Sequence, residues 1–336
     1  YKKGMNMKHQ IATLIIALMT CLSMGCNSAE MESNRHLKEG IQSYEKKIHD
    51  KATQSFQNAL NRYSNNHQAY YYMALIDMDY HDYTAAIRRL NDAIGYESGW
   101  PHYYYQLALA HYGEAQQQQL TSETGHDFAN YMECVRVLDK ATNIDPYYAE
   151  AHLQKARCYI GLNDYLAAVS AYEKSIQSNP FLRDADGVTI HYKELGELYM
   201  SFGFYKEATK VLTNGILNNP DDGQLETAFA YIYMAMKDYQ SALAHFEGAY
   251  KLLEKTTDSK LHTLSAMFGV GIANYELAKV DHAEGKLRES FDHYAAAQKW
   301  LTQYANLAVI QEEELRRAGA LAKLMEIQEI LKEENI

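Results

Sequence analysis

One pattern recurs seven times along this chain: a small residue, a large apolar residue four positions later, and another small residue three further on. The first small residues are Ala52, Ala86, Cys134, Ala168, Ala208, Ala242 and Ser290. The large ones are Phe56, Leu90, Leu138, Tyr172, Leu212, Phe246 and Tyr294, and Ala59, Ala93, Ala141, Ser175, Gly215, Ala249 and Ala297 close each trio. Steps of four and three put every trio on one face of an α-helix. A second series, Gly40, Ala74, Ala108, Ala156, Gly196, Ala230 and Gly271, precedes the trios and marks where a first helix crosses its partner closely. The pattern predicts about seven helical pairs over residues 34–307.

The third members are spaced by 34, 48, 34, 40, 34 and 48 residues, so insertions are expected near 114–130, 181–188 and 255–285. In the third pair the extra residues read as a spur of two added turns on each helix, with TSETGHD at its tip and Asp127 as a cap. Asp82-Tyr83, Asp164-Tyr165 and Asp238-Tyr239 mark turns, as does Asp281, with a long helix expected on each side of it. Residues 308–336 read as one further amphipathic helix with a Glu- and Lys-rich face, suited to capping the end of an array.

Composition narrows the function. Only 4 prolines and 47% apolar residues favour an almost wholly helical chain. The formal charge is −11, and the basic residues form no block beyond the first eight positions, so the electrostatic footprint of a nucleic-acid binder is missing. Tyrosine is over-represented, with 29 against 9 Phe and 2 Trp, and its ring-plus-hydroxyl suits both repeat packing and binding surfaces.

Tyr159, Ala168, Tyr172 and Pro180, at tetratricopeptide spacing, resemble the signature of one tetratricopeptide repeat (TPR), although His152, Lys155 and Ala156 depart from it. The resemblance extends through all seven pairs. It implies an all-α fold, a TPR-type α-solenoid with a right-handed superhelix and a C-terminal capping helix.

Lys2, Lys3 and Lys8 precede an apolar run, Ile11 to Leu22, too short to span a bilayer but suited to a secretory signal. Leu22-Ser23-Met24-Gly25-Cys26 resembles a bacterial lipobox, with Ser23 where a leucine is expected. The resemblance implies a signal peptide over residues 1–25, lipidation of Cys26, a short tether over 26–33, and membrane attachment by the lipid anchor. Asn27 follows the cysteine where aspartate would imply inner-membrane retention in enteric bacteria, so the expected location is the outer membrane, facing the periplasm.

The sequence offers catalysis no foothold: it has no G-x-S-x-G elbow, no phosphate-cradling glycine loop, and no carboxylate pair distinct from helix-surface charge. No cofactor or metal is expected. Among 14 histidines no metal-ligand spacing emerges, and His191, Glu194 and Glu197, which share a helical face, read as solvated surface. Cys134 and Cys158 read as small buried apolar residues. An oxidising compartment permits their pairing, provided separate helices align the two Cβ atoms.

In TPR proteins the first helix of each pair lines the concave surface. Carried onto the first three pairs, the inward positions are Leu37, Ile41 and Tyr44, then Tyr71, Leu75 and Met78, then Tyr105, Leu109 and Tyr112, with Gln68 and His102 at the rim. The alternative register makes them packing between repeats. As a trough they suit an apolar or helical peptide segment of a protein partner. Further along, Arg157, Lys193 and Glu197 make the inward positions more polar, before Tyr231 and Met234. The chain therefore reads as a lipid-anchored periplasmic scaffold for a cell-envelope machine, like secretin pilotins or subunits of outer-membrane assembly. A second reading is a peptidoglycan or polysaccharide adaptor stacking sugars on Tyr71, Tyr105 and Tyr112, and a third is a passive spacer.

Overall fold

The computed structural model describes residues 28–121, 128–184, 187–255 and 260–333. The signal-peptide and lipobox residues through Asn27, the expected spur tip after Thr121, and Ala185-Asp186 lie outside the described residues. The described chain holds fifteen α-helices. The first pairs are α1 (28–45) with α2 (His49–Arg62), and α3 (His67–Asp79) with α4 (Tyr83–Tyr96). They continue as α5 (Pro101–Thr121) with α6 (Phe128–Ile144), and α7 (Ala149–Gly161) with α8 (Tyr165–Ser178). Next come α9 (Ile190–Ser201) with α10 (Tyr205–Asn218), α11 (Gly223–Ala235) with α12 (Tyr239–Leu253), and α13 (Lys260–Ala283) with α14 (Leu287–Leu307). A short 3-10 turn, Gln311–Glu313, leads into α15 (Glu314–Glu333). The chain divides into two compact units, 1–171 and 172–336, with the division inside α8.

All members of the three columns are buried in the structure, as are the small residues of the first helices. The reason for smallness is direct at Gly40, where a Cβ would stand 2.4 Å from Cε1 of Phe56. At Gly196 the same atom would meet Leu212 at 2.8 Å, and at Gly271 it would meet Leu301 at 2.6 Å. Phe56 and Leu212 thus fill the space that Gly40 and Gly196 leave, and in the last pair Leu301 rather than Tyr294 does so at Gly271, the close packing that makes a core intolerant of one added methyl group.

The turns share one geometry. Lys47, His81, Asn163, Gly203, Lys237 and Gly285 all have φ between 58° and 77°. In each case the next backbone N–H reaches back to a carbonyl of the first helix, as in Asp82 N to Asp77 O at 2.8 Å and Asp238 N to Tyr233 O at 2.9 Å. This is a Schellman closure, satisfying carbonyls that a helix end leaves unpaired. Asp82, Asp164 and Asp238 then cap the following helix by accepting from Ala85, Ala167 and Ser241 N–H groups.

Several boundaries differ from those expected. Residues 28–33 are already helical, because Ser33 is buried, donates to Ala59 O at 2.8 Å and accepts from Asn66 Nδ2 at 2.8 Å. Asp281 is not a turn: α13 runs through it to Ala283, and the left-handed residue is Gly285. In the third pair α5 has 21 residues against 13 in α3, about two extra turns, whereas α6 has 17 against 14 in α4.

Cys134 on α6 and Cys158 on α7 form a disulfide across 24 residues, correcting their reading as free buried side chains. Their Cα atoms lie 6.3 Å apart, within the range a disulfide spans. Cys134 sits in the small-residue column, so the third pair brings it against the first helix of the fourth.

Candidate functional site

In the first unit the predicted inward residues lie along α1, α3 and α5 at four- and three-residue steps, one face of each helix. Leu37 is buried in the core with Phe56 and Met73 and offers no surface. Ile41, Tyr44, Tyr71, Leu75, Met78, Tyr105, Leu109 and Tyr112 are all half-buried. They form rows in which Leu75 follows Tyr71, and Leu109 follows Tyr105, by one helical turn.

The tyrosines are joined by an aromatic ladder that takes in residues outside the predicted set. Tyr44 meets Tyr72 edge-on at 5.9 Å between centroids, and Tyr72 meets Tyr71 at 5.2 Å. Tyr71 stacks on Tyr103 at 5.1 Å, and Tyr105 packs on Tyr148, the residue preceding α7, at 5.3 Å. His102 bridges the two ends: its Nε2 lies 2.7 Å from the Tyr71 hydroxyl and its Nδ1 2.8 Å from that of Tyr148. His67 holds the Tyr103 hydroxyl at 2.6 Å. The runs Tyr70-Tyr71-Tyr72 and Tyr103-Tyr104-Tyr105 carried the signal for this ladder, since adjacent tyrosines on a helix serve two neighbouring faces.

Burial sets the electrostatics of this face. It pushes the phenols of Tyr71, Tyr103 and Tyr148 well above the usual tyrosine range, reinforced by their neighbouring phenols. Burial also lowers His102 against the opposing pull of Glu150. Burial thus favours the neutral imidazole, which donates from one nitrogen and accepts at the other. Tyr105 is raised by burial, with Arg157 acting in the opposite sense. Tyr71 gives ring contacts to Tyr72, His102 and Tyr103.

In the second unit Lys193 and Glu197 join Gln224, Tyr231, His262, Ser265 and Arg316 around a polar cleft of about 210 Å³. Burial raises Glu197, while Lys193, 3.9 Å away, lowers it. His191, Glu194 and Glu197 all lie on α9 but in different settings, and His191 is not the solvated surface residue expected. His191 is fully buried with neither ring nitrogen hydrogen-bonded, and Glu194 accepts from the Tyr172 hydroxyl at 2.9 Å. Among the described residues no group of three or more His, Cys, Asp or Glu is placed to hold a metal. Among them, too, no helix is long and apolar enough to cross a membrane.

No family model matches the chain, and no curated protein matches it. Solved structures do. A tetratricopeptide repeat protein from Parabacteroides merdae is similar at 14% identity and a TM-score of 0.53, over 88% of this chain and 99% of that one. Pseudomonas aeruginosa pilF is similar at 12% identity and a TM-score of 0.52, over 70% of this chain and 96% of that one. With its paired helices, shared left-handed turns and buried small-residue columns, the chain has an all-α fold of the TPR type.

Proposed function

We propose that the α1–α3–α5 face of the first unit docks an apolar or helical segment of a partner protein. The chain then acts as a lipid-anchored, non-enzymatic scaffold in assembly or localisation of a cell-envelope machine, in the manner of a secretin pilotin or an outer-membrane assembly subunit. The single observation carrying the docking reading is the half-exposed row of Ile41, Leu75, Met78 and Leu109 beside a hydrogen-bonded tyrosine ladder. Rigid aromatics with satisfied hydroxyls lose little entropy on binding, and they flank apolar side chains that gain by leaving water. Ring–ring contacts along the ladder favour a peptide over a sugar, because stacking on a glycan requires an open ring face.

The compartment reading draws support from the Cys134–Cys158 disulfide, since such bonds persist in oxidising environments such as the periplasm. The acidic overall charge agrees with a protein rather than a nucleic-acid partner.

The test is crosslinked affinity purification of the membrane-extracted full chain beside Leu75→Glu/Leu109→Glu, with mass spectrometry of what co-purifies. An envelope protein retained by the native chain and lost from the variant supports the reading. Identical partners with both forms sink it, and sedimentation with purified peptidoglycan would move the assignment to a glycan. Cys26→Ser should shift the protein from the detergent phase to the aqueous phase; unchanged partition would remove the anchor.

A further inference from the structure

The last helix does more than cap the second unit. Its sequence leads one to expect charge turned outward, yet the cations of its first part turn inward. Arg316 pairs with Glu313 at 2.7 Å and covers the Phe268 ring. Arg317 donates to Ala305 O at 2.7 Å, and Lys323 lies 4.2 Å from the Tyr275 ring centroid. For Arg316 the cause lies at Glu313, which is buried, accepts the Tyr304 hydroxyl and requires a counter-charge, whereas Arg317 is held by a carbonyl and Lys323 by Tyr275 and Glu326. With these side chains recruited inward, the helix leaves an apolar strip facing solvent.

That strip has a definite periodicity. Leu315, Ala318, Ala322 and Met325 are all exposed, Leu315 at 91% and Met325 at 62%. Their steps of three, four and three are those of an a/d seam in a two-helix coiled coil. The alanines in the middle admit close approach, and the larger residues at the ends supply knobs, over about 15 Å of helix. A terminal helix serving only as a cap would turn polar residues to solvent here.

Charge decides the occupant. Between residues 314 and 329 the exposed charges of the outward face are all acidic: Glu314 flanks the seam, Glu329 continues it one heptad after Ala322, and Glu326 is already engaged by Lys323 at 3.4 Å and by the Tyr275 hydroxyl, while Lys332 comes only at the end of the helix. A second copy would bring the same acids to the central seam with no counter-charge. We propose that the outward face of α15 docks an amphipathic helix of a partner protein, with an apolar seam flanked by Lys or Arg. This surface is independent of the tyrosine face of the first unit.

The test measures binding of the full chain to two synthetic helical peptides with leucine at a and d, one carrying lysine and the other glutamate at e and g. Like charges keep each peptide from pairing with itself. The lysine peptide should bind at least about tenfold more tightly at low salt. Leu315→Glu/Met325→Glu should remove that binding without changing the melting temperature, since both side chains are exposed. Glu314→Lys/Glu329→Lys should reverse the preference. Equal affinity for the two peptides, binding to neither, or binding indifferent to both variants would overturn the proposal. So would a dimer of the native chain that Leu315→Glu/Met325→Glu dissolves.

Discussion

His102 Nε2 stands 2.7 Å from the Tyr71 hydroxyl, and the ring's other nitrogen holds Tyr148, so one imidazole ties α3 to the start of α7 through α5. Replacing it with leucine removes two exposed hydrogen bonds, which water can partly replace. His102→Leu is expected to lower stability by about 0.5–1.5 kcal/mol, the net worth of an ordinary hydrogen bond. Urea melts of the two proteins measure it, and an unchanged midpoint would mean that water takes over both contacts.

The disulfide gives a second prediction. Closing a loop of this size stabilises a chain by roughly 3 kcal/mol, chiefly through the unfolded state. Reductant should therefore depress the melting temperature of the native protein and leave Cys134→Ala/Cys158→Ala unmoved. Alanine matches the column that Cys134 occupies, so the variant should still fold. Free-thiol titration of the native protein at these two cysteines should find none until it is reduced.

Backbone strain can be relieved at one site and a steric clash introduced at another. Lys237 occupies the left-handed region at φ 61°, where glycine carries no steric penalty. Lys237→Gly is expected to stabilise by about 0.5–1 kcal/mol. Gly40→Ala should cost about 1–3 kcal/mol, because its methyl group runs into the Phe56 ring. Paired with Phe56→Leu, much of that cost should disappear, a non-additivity readable in a double-mutant cycle.

Burial lowers the pKa of His191 to about 4. The unfolded chain, with an ordinary histidine near 6.5, takes up a proton more readily than the folded one. Stability attached to His191 is therefore complete above about pH 6.5 and is lost as the pH falls toward 4, by up to about 3 kcal/mol. His191→Phe should flatten that part of the stability-against-pH curve. Parallel curves for the two proteins between pH 7 and 4 would refute it.

The helix pairs were legible because the small–large–small trio repeats often enough to rise above accident. The turns at Asp82-Tyr83, Asp164-Tyr165 and Asp238-Tyr239 were legible too, although the capping role of each aspartate was not read there. Asp281 misled because it resembles them, whereas the corresponding positions are Gly285 and Lys286, and Lys286 N bonds back to Asp281 O. Here the glycine, not the aspartate, was the signal. Leu37 was placed on the correct helix, but its depth depends on Phe56 and Met73 from later elements. The cysteine pairing and the inward turn of Arg316 depend likewise on contacts between neighbouring helices. A helical period names the face of a residue, but not what waits opposite it.

The Cys134–Cys158 bond joins two successive helix pairs rather than the two helices of one pair. Arrays of this kind melt like a zipper, shedding pairs from a free end because each pair is held mainly by its neighbours. A covalent stitch between the third and fourth pairs prevents one from leaving the other. Native-state hydrogen exchange should then show α6 and α7 opening together, as a single cooperative block within which fraying from the N-terminal side comes to rest.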